Sequence, residues 1–141
     1  MFAMSTRWLF CVLLFCYVSA KRDANSRLKL CCARQTTADQ TCKRRYCDFN
    51  VLSQENALLF FNLCSPKGNT LKLMWSCVTS ETDHVECCKN KKVPKECMDY
   101  CSYRKAPNDY LKHLFCLTAF NPIRDCFRSH LEHHPNIFGE F

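Results

Sequence analysis

Two runs of six cysteines with the same order of spacings constrain this chain more than any other feature. The first run is Cys31-Cys32-x9-Cys42-x4-Cys47-x16-Cys64-x12-Cys77, and the second is Cys87-Cys88-x8-Cys97-x3-Cys101-x14-Cys116-x9-Cys126. Corresponding gaps differ by only a few residues, and an apolar cluster precedes the fifth cysteine in both runs, at residues 58–63 and 110–115. The pattern indicates an internal duplication of two related units joined through residues 78–86.

The first twenty residues have the layout of a secretory signal peptide. Arg7 supplies a positive charge, residues 8–17 form an apolar run, and Ser19 and Ala20 are small residues before the expected cleavage point. The alternative, an uncleaved membrane anchor, is disfavoured because a membrane span needs about 20 apolar residues. We therefore expect a secreted mature protein from Lys21 onward, with no membrane insertion and with residues 21–27 as an N-terminal extension.

Twelve of the 14 cysteines remain after this cleavage, and the secretory route is oxidising. We expect them to form up to six disulfides, with the spacing alone leaving the pairing open. Neighbouring cysteines should reach different partners because a bridge between adjacent residues is strained. A zinc site would need reduced thiolates, which this compartment disfavours. The disulfide cysteines are Cys31, Cys32, Cys42, Cys47, Cys64, Cys77, Cys87, Cys88, Cys97, Cys101, Cys116 and Cys126.

The segments between cysteines favour helices, and the predicted fold is a mainly α, small disulfide-rich helical domain built from two similar six-cysteine halves. Apolar and histidine side chains recur on one helical face at Ile123, Cys126, Phe127, His130 and Leu131. Asn121 is the expected N-cap of that helix with Pro122 at its first position, and Ser53 is the expected cap of the helix before Cys64. Residues 135–141 are expected to form a loose end unless their apolar side chains dock.

Few residues offer catalytic chemistry. Gly68 and Gly139 are the only glycines, so phosphate loops, dinucleotide fingerprints and serine nucleophile elbows are excluded. Asp83-His84 precedes a cysteine pair, whereas secreted phospholipases A2 place His-Asp after one and need a glycine-rich calcium loop. Asp83 is better explained as a helix N-cap, with His84 in the first turn.

A metal site is considered at the C-terminal histidines. His130 and His134 share a helical face, but His130 also belongs to the apolar face. A half-buried His130 beside two solvated histidines is favoured over metal binding. We expect no catalytic residue, no metal and no cofactor.

The second half carries a family resemblance. Its motif is Asp83-His84-Val85-Glu86-Cys87-Cys88 followed by Val93-Pro94-x-x-Cys97-x3-Cys101. This motif resembles the DB module, a cysteine-rich domain of nematode secreted proteins. In that family an earlier cysteine pair, here Cys31-Cys32, begins the module. The resemblance covers residues 28–127, leaving 128–141 as the end of a helix and a tail. Lys92 replaces the glycine usual before Val-Pro, and the gap from Cys42 to Cys47 is wider than in the family. The resemblance implies a secreted binding module, found alone or beside immunoglobulin-like and fibronectin-type domains, with no catalytic residues.

The positive net charge of the chain suggests a second kind of partner, one that is negatively charged. The mature chain carries 19 basic and 13 acidic side chains, a net charge of +6. If the framework joins the basic clusters, they would attract sulfated glycans or acidic receptor patches, whereas scattered solvated lysines would not. The compartment argues against nucleic acid. The clustered residues are Lys43, Arg44, Arg45, Lys89, Lys91, Lys92 and Lys95.

These observations predict a secreted, non-enzymatic module that binds an extracellular or cell-surface protein as a ligand or co-receptor, with immunoglobulin-like receptors among the candidate partners. An extracellular matrix or cuticle component retained by glycosaminoglycans is the alternative. A small secreted hydrolase or hydrolase inhibitor ranks last, since no paired base and nucleophile is identifiable.

Overall fold

The computed structural model describes residues 21–141, and within that range the chain forms six α-helices, two 3₁₀-helices and no strand. The prediction of a mainly helical fold is confirmed. The predicted signal peptide, residues 1–20, lies outside the described residues. The elements in chain order are α1 (Ala24–Arg34), α2 (Gln40–Tyr46), α3 (Gln54–Cys64), α4 (Thr70–Thr79), α5 (Val85–Asn90), η1 (Lys95–Cys101), η2 (Tyr110–Ala119) and α6 (Phe120–His133).

The disulfides have the same connectivity in both halves. In each half the first cysteine pairs with the sixth, the second with the fourth and the third with the fifth. Adjacent cysteines therefore reach different partners, as predicted, and the repeated connectivity supports the duplication inferred from spacing. The six bridges are Cys31–Cys77, Cys32–Cys47, Cys42–Cys64, Cys87–Cys126, Cys88–Cys101 and Cys97–Cys116.

Although none of these six bridges crosses between the halves, the halves share one hydrophobic core. Helix α1 of the first half packs on α6 of the second, and α3 packs on both η2 and α6. Aromatic rings continue across the boundary: Trp75 contacts Phe61 with ring centroids 6.4 Å apart and Phe127 with centroids 5.5 Å apart. Burial of these rings is the main stabilising contribution that joins the halves.

A buried arginine makes one of the polar connections between the halves. Arg27 of α1 is only 1% exposed, and its Nη1 donates to the carbonyls of Leu131, Glu132 and His134 at 2.7, 2.9 and 3.2 Å. These are carbonyls at the C-terminal end of α6 that have no partner inside the helix. Arg27 therefore caps α6 from the other half.

The C-terminal segment docks on α1, so it is not the loose end expected from sequence. Asn136 is 3% exposed and its Nδ2 donates to the Arg27 carbonyl at 3.1 Å. Its backbone N–H also donates to the carbonyl of Glu140, whose carboxylate pairs with Arg34 at 3.1 Å. A buried asparagine therefore fixes the tail, together with Ile137, which packs against the core.

The two predicted helix caps differ in outcome. Ser53 occupies the N-cap position of α3, as predicted, but its side chain makes no capping hydrogen bond. The prediction for Asn121 is wrong: it does not cap its own helix, because η2 runs directly into α6 at Phe120. The Asn121 Oδ1 instead accepts the Gln54 N–H at 2.8 Å, so it caps α3. Similarly, His84 rather than Asp83 occupies the N-cap position of α5, and the Asp83 carboxylate accepts the Val85 N–H.

Within residues 21–141, no helix combines the length and the apolar character that a membrane span requires.

Candidate functional site

Two neighbouring elements expose most of the large apolar side chains at the surface. Residues 21–141 contain nine large hydrophobic side chains that are exposed, and six of them lie on α3 and η2. Isolated exposed apolar residues are normal, whereas a contiguous group marks an interaction site. We call this group the α3–η2 face, and it consists of Leu58, Leu59, Leu63, Leu111, Leu114 and Phe115.

The duplication produces this face. Leu59 and Leu111 each lie five residues before the fifth cysteine of their half, and Leu63 and Phe115 each lie one residue before it. All four are at least 40% exposed. Equivalent positions of the two halves therefore present apolar side chains to solvent, and the fold brings the two copies together.

Direct contacts hold α3 and η2 side by side. The Tyr110 hydroxyl donates to Asn62 Oδ1, and the Tyr110 ring lies 5.2 Å from that of Phe61. On α3, Phe60 and Phe61 point into the core, which turns Leu59 and Leu63, four residues apart, outward together. The face is thus anchored by buried aromatic residues immediately behind it.

The 3₁₀-helix η2 is apolar on both sides. Its inner side chains Tyr110, His113 and Leu117 line a cavity of about 30 Å³, closed opposite by Phe61 and Trp75. The backbone at His113 departs from helical geometry, with φ −129° and ψ 38°. This break places inward-facing and outward-facing apolar residues on one short segment.

The loop before η2 is held by a polar cluster. The Tyr100 hydroxyl donates to Asp109 Oδ1 at 2.8 Å, and Lys105 Nζ lies 3.1 Å from Asp109 Oδ2. Burial, and then the Asp109 carboxylate, raise the pKa of Tyr100, so its hydroxyl stays protonated as the donor. The start of η2 is therefore fixed against η1.

The predicted basic residues divide into two groups on different elements. Lys89, Lys91, Lys92 and Lys95 are exposed on and after α5, whereas Arg44 and Arg45 are exposed on α2. Lys43 is only 8% exposed, and its ammonium donates to the Gln35 carbonyl at 2.9 Å. Helix α2 packs mainly on α1 and α3, and α5 on η1 and α6, so the two groups have different packing partners.

Three histidines from α6 and the start of α5 form a cluster. His84 is buried, and its Nε2 donates to the Thr79 carbonyl at 2.7 Å. The His130 ring lies 5.2 Å from His84 and stacks on His134 at 4.0 Å. In residues 21–141, no three His, Cys, Asp or Glu side chains converge as metal ligands.

This cluster makes stability depend on pH. Burial lowers the pKa of His84, and burial followed by the charges of His134 and His84 lowers that of His130 from 6.5 to about 4. Between pH 6.5 and about 4, these two histidines are therefore protonated to a greater extent in the unfolded chain than in the folded chain. The free energy of unfolding consequently falls as the pH is lowered through that range.

We expect His130→Gln to reduce this acid sensitivity. The substitution removes one group whose protonation opposes folding, so the fall in melting temperature from pH 7 to pH 5 should be smaller than in the unsubstituted protein. Thermal unfolding at the two pH values measures it, with His133→Gln, an exposed neighbour, as the control. Equal falls in all three proteins would contradict this assignment.

A comparison with protein families identifies the framework. The family model of the DB module matches residues 31–127, from the first framework cysteine to one residue beyond the last. No curated protein and no solved structure gives a significant match. The matched range contains both six-cysteine halves, all six disulfides and the whole α3–η2 face, which confirms the resemblance found around Asp83 and Cys97. The chain belongs to the DB module family, a family of cysteine-rich extracellular domains.

Proposed function

We propose that this protein is a secreted, non-catalytic recognition module that binds another extracellular protein through the α3–η2 face. The observation that carries the proposal is the pairing of equivalent exposed apolar residues, Leu59 with Leu111 and Leu63 with Phe115, on adjacent elements. A group of exposed large apolar side chains of this kind is typical of surfaces that bind another protein.

The charge distribution supports a protein partner with an apolar contact surface. Glu55 is the only charged residue of α3, and Lys112 is the only lysine, arginine or carboxylate of η2, although the mature chain has a net charge of +6. Interface centres are depleted of charge in the same way. The Cys42–Cys64 bridge anchors the C-terminal end of α3 and the Cys97–Cys116 bridge anchors the C-terminal half of η2, so little conformational entropy is lost when a partner binds.

We expect Leu111→Asp to weaken binding to the protein partner by about tenfold or more, because it places a carboxylate at the centre of an apolar contact. Leu111 is 65% exposed, so the substitution leaves the core intact. The mature protein, residues 21–141, is first tested against a panel of cell-surface ectodomains with and without soluble heparin. The affinity of each hit is then compared between the two forms.

Lys91→Asp is the matched control, since it also introduces a carboxylate at an exposed position but lies outside the α3–η2 face. It should leave the affinity unchanged. The proposal would be contradicted if Leu111→Asp bound the ectodomain with unchanged affinity. It would also be contradicted if heparin abolished binding to every ectodomain. Either result would favour retention by matrix glycans.

A further inference from the structure

A second surface, separate from the α3–η2 face, has the construction of an anion site. It is the groove between α1 and α2, which we call the α1–α2 groove, with a volume of about 360 Å³. The Cys32–Cys47 disulfide joins its two walls. This volume is in the range of small-ligand sites. The lining residues are Lys29, Cys32, Ala33, Gln40, Lys43, Arg44 and Cys47.

Lys43 is the unusual member of this lining. A lysine is seldom buried without a paired acid, yet Lys43 is 8% exposed. Its ammonium has three N–H donors, and one is used by the Gln35 carbonyl. Within residues 21–141, no carboxylate lies within 4 Å of Lys43 Nζ, and its bond to Gln35 is partly exposed, so no acidic side chain neutralises this ammonium.

Two further cations line the same groove. Arg44, exposed on α2, has no carboxylate within 4 Å in the described part of the chain, and its guanidinium suits oxyanions because it donates in a planar fork. Lys29 lies 3.5 Å from Asp48 Oδ2 and is 61% exposed, so it stands at the rim and is partly neutralised. The groove therefore offers two cations without an acidic partner and a third at its edge.

The second half shows that the repeated fold does not require these charges. Aligned on the second and third cysteines, Lys29 corresponds to Val85 and Lys43 to Met98, while Arg44 corresponds to Asp99. Met98 is partly buried against the same core. An apolar side chain thus satisfies the packing at the position of Lys43, and the bond to Gln35 uses only one of the three N–H donors of its ammonium.

We propose that the α1–α2 groove binds a sulfate or phosphate group, with the Lys43 ammonium and the Arg44 guanidinium as its donors, and that a sulfated glycan is the ligand that carries it. The bound oxyanion neutralises the Lys43 ammonium and accepts charge-assisted hydrogen bonds from both side chains. This site is independent of the protein-binding proposal, because it lies on different elements.

The test uses a heparin tetrasaccharide and the mature protein in isothermal titration calorimetry at physiological salt. We expect Lys43→Met, which copies the residue of the second half, to weaken binding about tenfold or more. Lys91→Met is the control, because it removes the same charge from an exposed position of the other half. Its effect should be several times smaller.

Further titrations identify the source of the oxyanion. The site is assigned to a sulfated glycan if the protein binds the tetrasaccharide and does not bind its desulfated form, inorganic sulfate or inorganic phosphate. Equal affinity for inorganic phosphate would overturn the glycan as ligand and leave the oxyanion site. Equal losses in Lys43→Met and Lys91→Met would show nonspecific attraction and overturn the proposal. If Lys43→Met does not fold, Arg44→Gln replaces it against Lys91→Gln, with the same two outcomes.

Discussion

Replacing Arg27 with methionine is expected to lower the free energy of unfolding by about 3 kcal/mol, because three carbonyls lose their charged hydrogen-bond donor. Arg27 is 1% exposed and donates to three carbonyls at the end of α6. Methionine fills a similar volume but leaves those carbonyls without a donor, at about 1–3 kcal/mol for each buried unsatisfied group. Urea unfolding followed by circular dichroism measures the change.

Arg34→Met is the matched control, on the same helix. Arg34 is 57% exposed and pairs with Glu140 of the docked tail, so its ion pair is a surface one, worth at most about 1 kcal/mol. If the two variants lose similar stability, the capping of α6 by Arg27 contributes no more than a surface ion pair.

Removal of the Cys31–Cys77 bridge by double alanine substitution is expected to cost about 4 kcal/mol. This bridge closes the longest loop, with a sequence separation of 46, and therefore restricts the unfolded chain most. The Cys88–Cys101 bridge has a separation of only 13, for which the same relation gives about 3 kcal/mol. Chemical unfolding of the two double variants without reductant measures both.

The order of the two effects is the informative result. Cys31, Cys77, Cys88 and Cys101 are all 0% exposed, so truncation to alanine removes similar buried contacts in both variants. A larger loss for the shorter loop would mean that local packing, rather than restriction of the unfolded chain, dominates the contribution of these bridges.

The framework could be predicted from sequence because cysteine spacing is a local signal that a duplication repeats. The helical class followed from periodicity, as at Ile123 and Phe127, which are both buried. The pairing could not be predicted, since many connectivities are compatible with the same spacing. The structure resolves it by repeating one pairing in both halves.

Features that depend on contacts distant in sequence were missed. Asn121 caps a helix 67 residues away, and Asn136 holds the Arg27 carbonyl 109 residues away. Sequence rules assign a capping residue to the helix that begins nearest to it, and they place a polar chain terminus in solvent. Neither rule takes account of a partner that is distant in sequence and close in the folded structure.

The candidate site was visible only in part. The sequence shows the apolar clusters before Cys64 and Cys116, but it does not show which of their residues face solvent. Helix α3 carries apolar residues on more than one side, so periodicity does not separate Phe60, in the core, from Leu59, at the surface. The burial of Lys43, which precedes the exposed Arg44 and Arg45, was also invisible in sequence.

The most direct test of protein recognition by the α3–η2 face is amide hydrogen exchange of the mature protein, alone and bound to an ectodomain found in the screen. We predict slower exchange on binding in residues 58–64 and 110–116, with little change in residues 89–95. Protection confined to residues outside α3 and η2 would contradict the account, because the partner would then bind elsewhere on the module.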